Sequence, residues 1–230
     1  PPLEQVVAGT WEGGVRGRTP GASWYASVFR TANQDDILFI SSGALTNEGH
    51  FENVGDTLRR GLELGASGQW SPRLGWTTAY TYLRATFETP LTLTSPNHPD
   101  EEGGEIEVPA GSALPGIPRH NFKAGVFFAS DRWSVGANVL ANSSQFLRGD
   151  EANLLEPVDG FATVDLSAGY AIGRRFRLSA RVTNLFDAGF ETFGLLGEAD
   201  EVLGDDYDDP RFLSPGAPRA AWVGVEWSLP

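Results

Sequence analysis

The sequence contains no cysteine and no methionine, and lysine occurs only once, as Lys123. Without cysteine there are no disulfide bonds, cysteine-ligated zinc sites, iron–sulfur clusters or thiol nucleophiles. No run of about 18 or more apolar residues is present, so we predict no transmembrane helix. The net charge is −13, whereas nucleic-acid binding needs a basic surface that neutralises phosphates. We therefore predict no nucleic-acid partner.

Glycine, aromatic residues and alternating patterns are abundant, with 28 glycines and 7 tryptophans. In one stretch Phe176, Leu178, Ala180 and Val182 alternate with polar residues, which indicates a strand with one apolar face. Comparable patterns recur along the chain. We predict nine strands, near residues 9–18, 21–41, 52–70, 73–88, 117–129, 132–147, 159–171, 174–186 and 218–229.

The connections alternate in length. Short turns are predicted near 19–21, 71–73, 130–131 and 172–173, and long Gly/Pro/Asp-rich loops near 42–51, 89–117, 148–159 and 187–217. Short turns on one side and long loops on the other are typical of transmembrane β-barrels. Several strands also exceed the usual soluble length of about five or six residues. We predict an all-β fold, a transmembrane antiparallel β-barrel; the alternative is a soluble antiparallel sheet with one wet face.

Five motifs in order resemble the β-barrel of TonB-dependent outer-membrane receptors. They are FENVGDTLRRGLELGASGQW, LGWTTAYTYLRATFE, LPGIPRHNFKAGVFF, ATVDLSAGYAIGRRFRLSARVTNLFDAGFETFG and PGAPRAAWVGVEWSL. The family's recurring Asn-Leu-Phe-Asp is matched by Asn184, Leu185, Phe186 and Asp187. Trp227 stands near the terminal aromatic of the family's last strand, although Ser228, Leu229 and Pro230 follow it.

The resemblance implies that residues 1–230 form the C-terminal segment of such a barrel, roughly the last nine of 22 strands, with the plug domain absent. It implies nutrient import, for example of a ferric siderophore, across the bacterial outer membrane. Implied partners are outer-membrane lipid and lipopolysaccharide, the remaining strands and plug, and the TonB–ExbB–ExbD complex through the missing N-terminal part. It implies no enzymatic activity and no cofactor. The alternatives are a plug-less passive channel or structural barrel protein, and a soluble carbohydrate-binding module.

Arg175, Arg177 and Arg181 recur on the polar face of the strand that precedes the Asn-Leu-Phe-Asp motif. Facing lipid near the midplane, each would cost about 2–4 kcal/mol, so we predict that they face a polar lumen. There they would pair with Glu63, Asp165 or a plug domain. We expect lumen electrostatics rather than a substrate path.

The remaining candidates are acidic loops and histidines. Residues 197–210 carry seven carboxylates but lack the Asp-x-Asp-x-Asp-Gly pattern of a calcium loop, so we expect a solvated surface there. Residues 100–107 are interpreted in the same way. His98 is the best placed histidine for a haem ligand, but no haem-associated motif accompanies it. No residues have the arrangement of a catalytic or metal site.

Overall fold

The computed structural model of the chain describes residues 2–41, 49–198, 204 and 209–228. The described residues form fifteen strands, and nine of these make one antiparallel sheet in which each strand pairs with its neighbours. In order, the nine are β1 (Val7–Thr19), β2 (Ala22–Gln34), β5 (Thr57–Ser71), β6 (Leu74–Phe87), β9 (His120–Ala129), β10 (Trp133–Asn142), β11 (Phe161–Ile172), β12 (Phe176–Thr183) and β15 (Ala220–Trp227). Each of the nine predicted segments therefore contributes one strand to this sheet.

Six shorter strands form three hairpins within the long connections. They are β3 (Ile37–Ser41) with β4 (Gly49–Asn53), β7 (Leu91–Thr94) with β8 (Glu105–Val108), and β13 (Glu191–Leu196) with β14 (Arg211–Pro215). The prediction of one strand in each of the segments 21–41 and 52–70 was wrong. The first contains β2 and β3, and the second contains the end of β4 as well as β5. The breaks fall at Asp35 and Gly55, whose φ angles of 52° and 72° interrupt an extended strand.

The sheet has one apolar and one polar face because neighbouring residues of a strand point to opposite sides. The register aligns the apolar positions of successive strands, for example Val28 with Leu62 and Leu64 with Tyr80. The polar face carries such residues as Ser27, Glu63, Thr81, Lys123, Asn138, Asp165 and Arg181. The described residues contain no helix long and apolar enough to cross a membrane.

Aromatic rings on the polar face explain why the alternation is blurred in β2. Tyr25 lies opposite Gly65, and Phe29 lies opposite Gly61. A Cβ atom on either glycine would collide with the facing ring. Each ring therefore occupies the space that a side chain would fill on β5, so an aromatic residue on this face does not contradict its polar character.

Three aromatic pairs mark the short-turn end of the sheet. They are Trp70–Trp76, Trp133–Tyr170 and Phe176–Trp227, with ring centroids 6.1, 4.4 and 6.1 Å apart. Nearer the long loops, Tyr80 and Tyr82 contact His120, and the Tyr80 hydroxyl lies 2.7 Å from His120 Nδ1. Aromatic belts at both ends of an apolar band are typical of transmembrane barrels.

The hydrophobic core lies among the long connections, not against the sheet. We call this region the loop end: the three hairpins, residues 143–160 and the adjoining strand ends. Its larger cluster comprises Ile40, Val54, Ala85, Phe87, Leu93, Ile106, Val108, Leu114 and Ala152, and a second comprises Leu147, Val158 and Leu196. The long connections were predicted as polar loops, and the structure corrects this by showing a packed unit.

Candidate functional site

Residues 143–160, which we call the central loop, join the hairpins of the loop end. On one side, the Arg148 amide donates to the Gly194 carbonyl at 3.0 Å and the Leu196 amide to the Arg148 carbonyl at 2.8 Å. On the other side, the Ser95 hydroxyl donates to the Gly149 carbonyl at 2.6 Å. The central loop therefore connects the β7–β8 and β13–β14 hairpins.

A second contact with the central loop is the buried pair His98 and Asp150, whose side chains are completely inaccessible. The Asp100 amide donates to His98 Nδ1 at 3.0 Å, so Nδ1 is unprotonated and Nε2 carries the proton. His98 Nε2 then donates to Asp150 Oδ1 at 3.2 Å. With both ring nitrogens engaged, His98 has the surroundings of a structural residue and not of an axial haem ligand.

Asp150 is satisfied by the backbone as well as by His98. Its two carboxylate oxygens accept from the Leu154 and Leu155 amides at 2.8 and 3.0 Å. Nearby, Asn153 adopts a positive φ of 62° and exchanges two hydrogen bonds with the Ala113 backbone. These bonds fix the central loop tightly, because a buried carboxylate is stable only when its acceptors are paired.

A small cavity of about 120 Å³ opens where the central loop meets the β3–β4 and β13–β14 hairpins. Its walls are Phe39, Ile40, Thr94, Arg148, Gly149, Glu151, Phe193, Leu195 and Leu196. The Arg148 guanidinium lies 6.0 Å from the centre of the Phe193 ring, within the range of a cation–π contact. The cavity combines an arginine, a carboxyl group and aromatic walls.

Burial raises the pKa of Glu151, although the Gly149 amide donates to its carboxylate at 3.1 Å. A buried carboxyl group resists ionisation because the charged form is poorly solvated. No feature of the sequence indicated Glu151 or Arg148 as cavity residues, because the hairpins that complete the walls are distant in sequence.

At the base of the β3–β4 hairpin, Asp36 organises a second polar cluster. Its Oδ2 accepts from the Thr57 hydroxyl at 2.5 Å and from the Arg59 guanidinium at 3.0 Å. Partial burial raises the pKa of Asp36, but hydrogen bonds from Thr57, Asn33 and Arg59 outweigh this and lower it overall. Arg59 therefore has a defined partner on the polar face of the sheet.

The structure separates the three arginines that the sequence placed together. Arg181 lies on the polar face with its guanidinium 3.3 Å from Asp165 Oδ2, and Arg177 donates to the Ser134 hydroxyl at 3.2 Å. Arg175 instead lies in the turn before β12, outside the strand. The Arg181 side chain is 63% exposed, so this pair contributes at most about 1 kcal/mol.

Glu63 does not pair with these arginines. It lies on β5, and four strands of the sheet separate it from β12. The residue facing Arg177 across β15 is Glu226. The prediction that Asp165 pairs with one of these arginines is confirmed. The prediction that Glu63 does so is wrong, because the order of the strands in the sheet could not be deduced from the sequence.

The Asn-Leu-Phe-Asp motif forms a hydrogen-bonded junction where β12 ends. Asn184 is buried, and its side chain donates to the Ala188 and Ala217 carbonyls at 2.9 and 3.1 Å while accepting from the Ala188 amide at 3.0 Å. Its own amide donates to Asp165 at 3.0 Å. Asn184 therefore connects β11 and the end of β12 to the segment entering β15.

The other motif residues complete this junction. Leu185 donates its amide to the Val164 carbonyl at 2.8 Å, and Asp187 accepts from the Arg219 amide at 2.9 Å. Phe186 is 74% exposed. Asn184 and Asp187 have φ angles of 46° and 54°, a conformation that asparagine and aspartate tolerate better than most residues. At the far end of β15, Trp227 packs against Phe176.

The structure describes only part of the acidic loop, residues 197–210. Asp200, Glu201, Asp205, Asp206 and Asp208 lie outside the described residues. Asp209 is exposed and pairs with Arg211 at 2.8 Å, and the hydrogen bond from Arg211 lowers the pKa of Asp209. Within the described part of the chain no three His, Asp or Glu side chains are grouped as a metal site.

Comparisons with known proteins identify the family of the sheet. The family model described as TonB dependent receptor-like, beta-barrel matches residues 1–185. The metal-pseudopaline receptor CntO of Pseudomonas aeruginosa is 28% identical over 145 residues, which are 62% of this chain and 18% of the receptor. The pesticin receptor of Yersinia enterocolitica is 24% identical over 203 residues, 84% of this chain and 26% of the receptor. The chain thus spans about a quarter or less of these relatives.

Solved structures share the fold. The ferric yersiniabactin uptake receptor FyuA of Yersinia pestis superposes with a TM-score of 0.72 at 20% identity, covering 96% of this chain and 30% of FyuA. The copper transporter OprC gives a TM-score of 0.69 at 22% identity, covering 99% of this chain and 32% of OprC. With the family model matched over residues 1–185, the chain belongs to the TonB dependent receptor-like β-barrel family.

Proposed function

We propose that this chain forms part of the barrel wall of a bacterial outer-membrane transporter that imports a scarce nutrient, such as a ferric siderophore, with energy from TonB. Residues 1–230 would be its C-terminal barrel segment. Outer-membrane lipid would cover the apolar face of the sheet. Further strands and a plug domain would complete the pore, and the TonB–ExbB–ExbD complex would act through the N-terminal part.

The observation that carries this proposal is the contrast between the two faces of one continuous sheet. Val126, Val135 and Leu178 are 42%, 47% and 38% exposed on the apolar face, while the opposite face is polar and contains ion pairs. In water such an apolar face would be unfavourable by about 25 cal/mol for each Å². A soluble carbohydrate-binding module has no need of this arrangement.

The loop end supports the receptor part of the proposal. Its buried core and its inter-loop hydrogen bonds hold a preformed cavity with Arg148, Glu151 and Phe193 at the long-loop side. A concave site with a few polar groups is typical of ligand binding, and at about 120 Å³ this cavity has room for one group of a ligand and not for a whole siderophore. We propose that Arg148 contacts an anionic group of the ligand.

Uptake in the native host tests the function. A strain lacking the gene should lose import of one radiolabelled ferric siderophore under iron limitation, and the wild-type gene should restore import. Arg148→Ala should weaken that uptake, whereas Arg73→Ala, in a short turn at the opposite end, should not. Uptake equal in the deleted and complemented strains for every siderophore tested would contradict the proposal.

Energy coupling separates a receptor from a passive channel. In a host lacking TonB, the proposed receptor binds its ligand without importing it, whereas a plug-less channel continues to pass solutes. Import that persists without TonB would favour the channel. Outer-membrane fractionation of the tagged protein tests the proposed location independently.

A further inference from the structure

Three arginines form a transverse row on the apolar face of the sheet. The strand register places Arg30 of β2 opposite Arg60 of β5, and Arg60 opposite Arg84 of β6. Adjacent strands lie about 4.8 Å apart, so the row brings three positive charges close together. Directly below it in the same columns are the apolar positions Val28 and Leu62.

The row has no partner within the described residues, although a neighbouring arginine does. Arg59, next to Arg60 in sequence, points to the polar face and binds Asp36 at 3.0 Å. Arg30, Arg60 and Arg84 make no ion pair or side-chain hydrogen bond within the described part of the chain. The Nε atom of Arg84 is buried and has no hydrogen-bond partner there.

Such a row is unfavourable without an external anion. Like charges directly opposite each other destabilise a sheet, and a buried polar atom without a partner is rare in proteins. Glu88, just beyond β6, accepts from the Thr86 hydroxyl at 2.8 Å and makes no ion pair with Arg84. An anion from outside would satisfy the three guanidinium groups together.

The position of the row indicates where that anion comes from. It lies near the loop end, two residues beyond the belt of Tyr80, Tyr82 and His120, and Trp11 of β1 faces Arg30. Aromatic belts lie at the level of lipid headgroups. The row therefore lies at the polar boundary of the outer leaflet, where charged side chains are tolerated.

Guanidinium groups bind phosphate through paired parallel hydrogen bonds. A phosphate held between neighbouring arginines would relieve their repulsion while the acyl chains of the same lipid cover Val28 and Leu62. A free phosphate would satisfy the charges alone. The continuity of the row with the apolar face therefore favours a lipid as the source.

We propose that Arg30, Arg60 and Arg84 bind the phosphate groups of a phosphorylated lipid of the outer leaflet. This inference rests on the proposed outer-membrane location, but it adds a defined lipid site that transport itself does not require. The site uses charge on the lipid-facing surface, whereas nutrient capture uses the loop end.

The test compares two triple variants of the intact protein, purified from its host in mild detergent. In one, Arg30, Arg60 and Arg84 are changed to Gln; in the control, the exposed short-turn residues Arg73, Arg132 and Arg174 are changed to Gln. Lipopolysaccharide binding is measured by native mass spectrometry. Parallel samples contain dephosphorylated lipopolysaccharide or inorganic phosphate alone, and heat-modifiable gel migration verifies folding.

The dissociation constant for lipopolysaccharide should be roughly tenfold or more higher in the row variant, equivalent to about 1.4 kcal/mol, and should change little in the control. Dephosphorylated lipopolysaccharide should bind wild type as weakly as the intact lipid binds the row variant. Equal binding by both triple variants would overturn the proposal, and tight binding of inorganic phosphate alone would overturn the lipid as source. If the row variant does not fold, Arg84→Gln and Arg84→Lys replace it, with Lys expected to retain more lipid than Gln.

Uptake distinguishes failure of this site from failure of the transport proposal. Loss of lipid binding with siderophore import retained supports the site and leaves transport intact. Conversely, if wild type shows no import but the row variant selectively loses lipid, the transport proposal is contradicted and the lipid site is supported. Equal lipid binding by both variants with import intact contradicts the lipid site alone.

Discussion

The loop end contains clusters of buried apolar side chains, whereas the apolar face of the sheet leaves its side chains exposed, although both regions contain β-strands. Phe87 and Leu147 at the loop end have no accessible surface, whereas Val223 and Val225 on the sheet are 83% and 67% exposed. The loop end contains its own clusters of buried apolar residues. The sheet instead separates an apolar face from a polar one.

This difference indicates that the loop end has the packing of a protein in water, whereas the sheet has the surface of a protein in a lipid bilayer. The loop end satisfies the usual requirement of a protein in water, since its apolar groups pack against each other. The sheet suits a bilayer, because the backbone groups of its interior strands pair with strands on both sides while the apolar side chains of one face remain available to lipid. Stability should therefore respond differently to equivalent changes in the two regions.

The largest effect is expected when Phe87, the aromatic residue of the larger cluster at the loop end, is replaced. Phe87→Ala should destabilise the loop end by about 3–5 kcal/mol because it leaves a cavity in a packed core. Hydrogen exchange of the β7–β8 amides measures this. The matched change Phe122→Ala, on the apolar face of the sheet, should leave exchange in that hairpin unchanged; faster exchange to the same extent would show that the two regions are not separate.

A charge on each face of β6 sharpens the comparison. Thr78 lies on the apolar face and Thr81 on the polar face, opposite Glu63. Thr78→Arg should cost about 2–4 kcal/mol near the bilayer midplane, whereas Thr81→Arg should cost far less. Urea unfolding of the membrane-inserted protein provides the measurement, and equal losses for the two variants would contradict the assignment of the faces.

The Asn184 junction connects the two regions, and its loss should have an intermediate effect. Asn184→Ala removes three side-chain hydrogen bonds and should cost about 1–3 kcal/mol. Asn184→Gly tolerates the positive φ and so isolates the hydrogen-bond contribution. Exchange of the amides entering β15 reports the change; unaltered exchange in both variants would show that the motif does not hold this segment.

The smallest effect is a pH response confined to the loop end. Because burial raises the pKa of Glu151 above its ordinary 4.5, the unfolded region loses this proton at lower pH than the folded one. Stability of the loop end should therefore fall as pH rises from about that ordinary value through the raised pKa. Glu151→Gln should remove this fall and be more stable than wild type at pH 8, with no advantage at pH 4.

The exposed Glu156 of the same loop provides the control for that response. Glu156→Gln should follow the wild-type pH dependence when hydrogen exchange of the central loop is followed between pH 4 and pH 8. A Glu151→Gln variant that parallels wild type over the whole range would show that Glu151 does not carry the response.

The nine sheet strands could be predicted from sequence because each is long enough for its alternation to be visible. The hairpins could not, since strands such as LTLT (Leu91–Thr94) and EIEV (Glu105–Val108) are too short to stand out from loop composition.

Most of the candidate site could not be predicted because it depends on register and long-range pairing. His98 and Asp150 are 52 positions apart, and nothing in either neighbourhood marks the other. The row of Arg30, Arg60 and Arg84 becomes visible only when three strands are aligned. Arg175 was predicted to lie in the strand because the alternating pattern of the sequence begins there. In the structure residues 173–175 form a turn, and β12 begins at Phe176.

The most direct test of the central claim uses adjacent residues of β10, in the interior of the sheet. Because the chain has no cysteine, Val139→Cys and Asn138→Cys each carry a single fluorescent label in the membrane-inserted protein. A quencher attached to lipid acyl chains should quench the label at position 139, on the apolar face, and spare the label at position 138. Equal quenching at both positions, or stronger quenching at 138, would contradict the account of a sheet with one face in lipid.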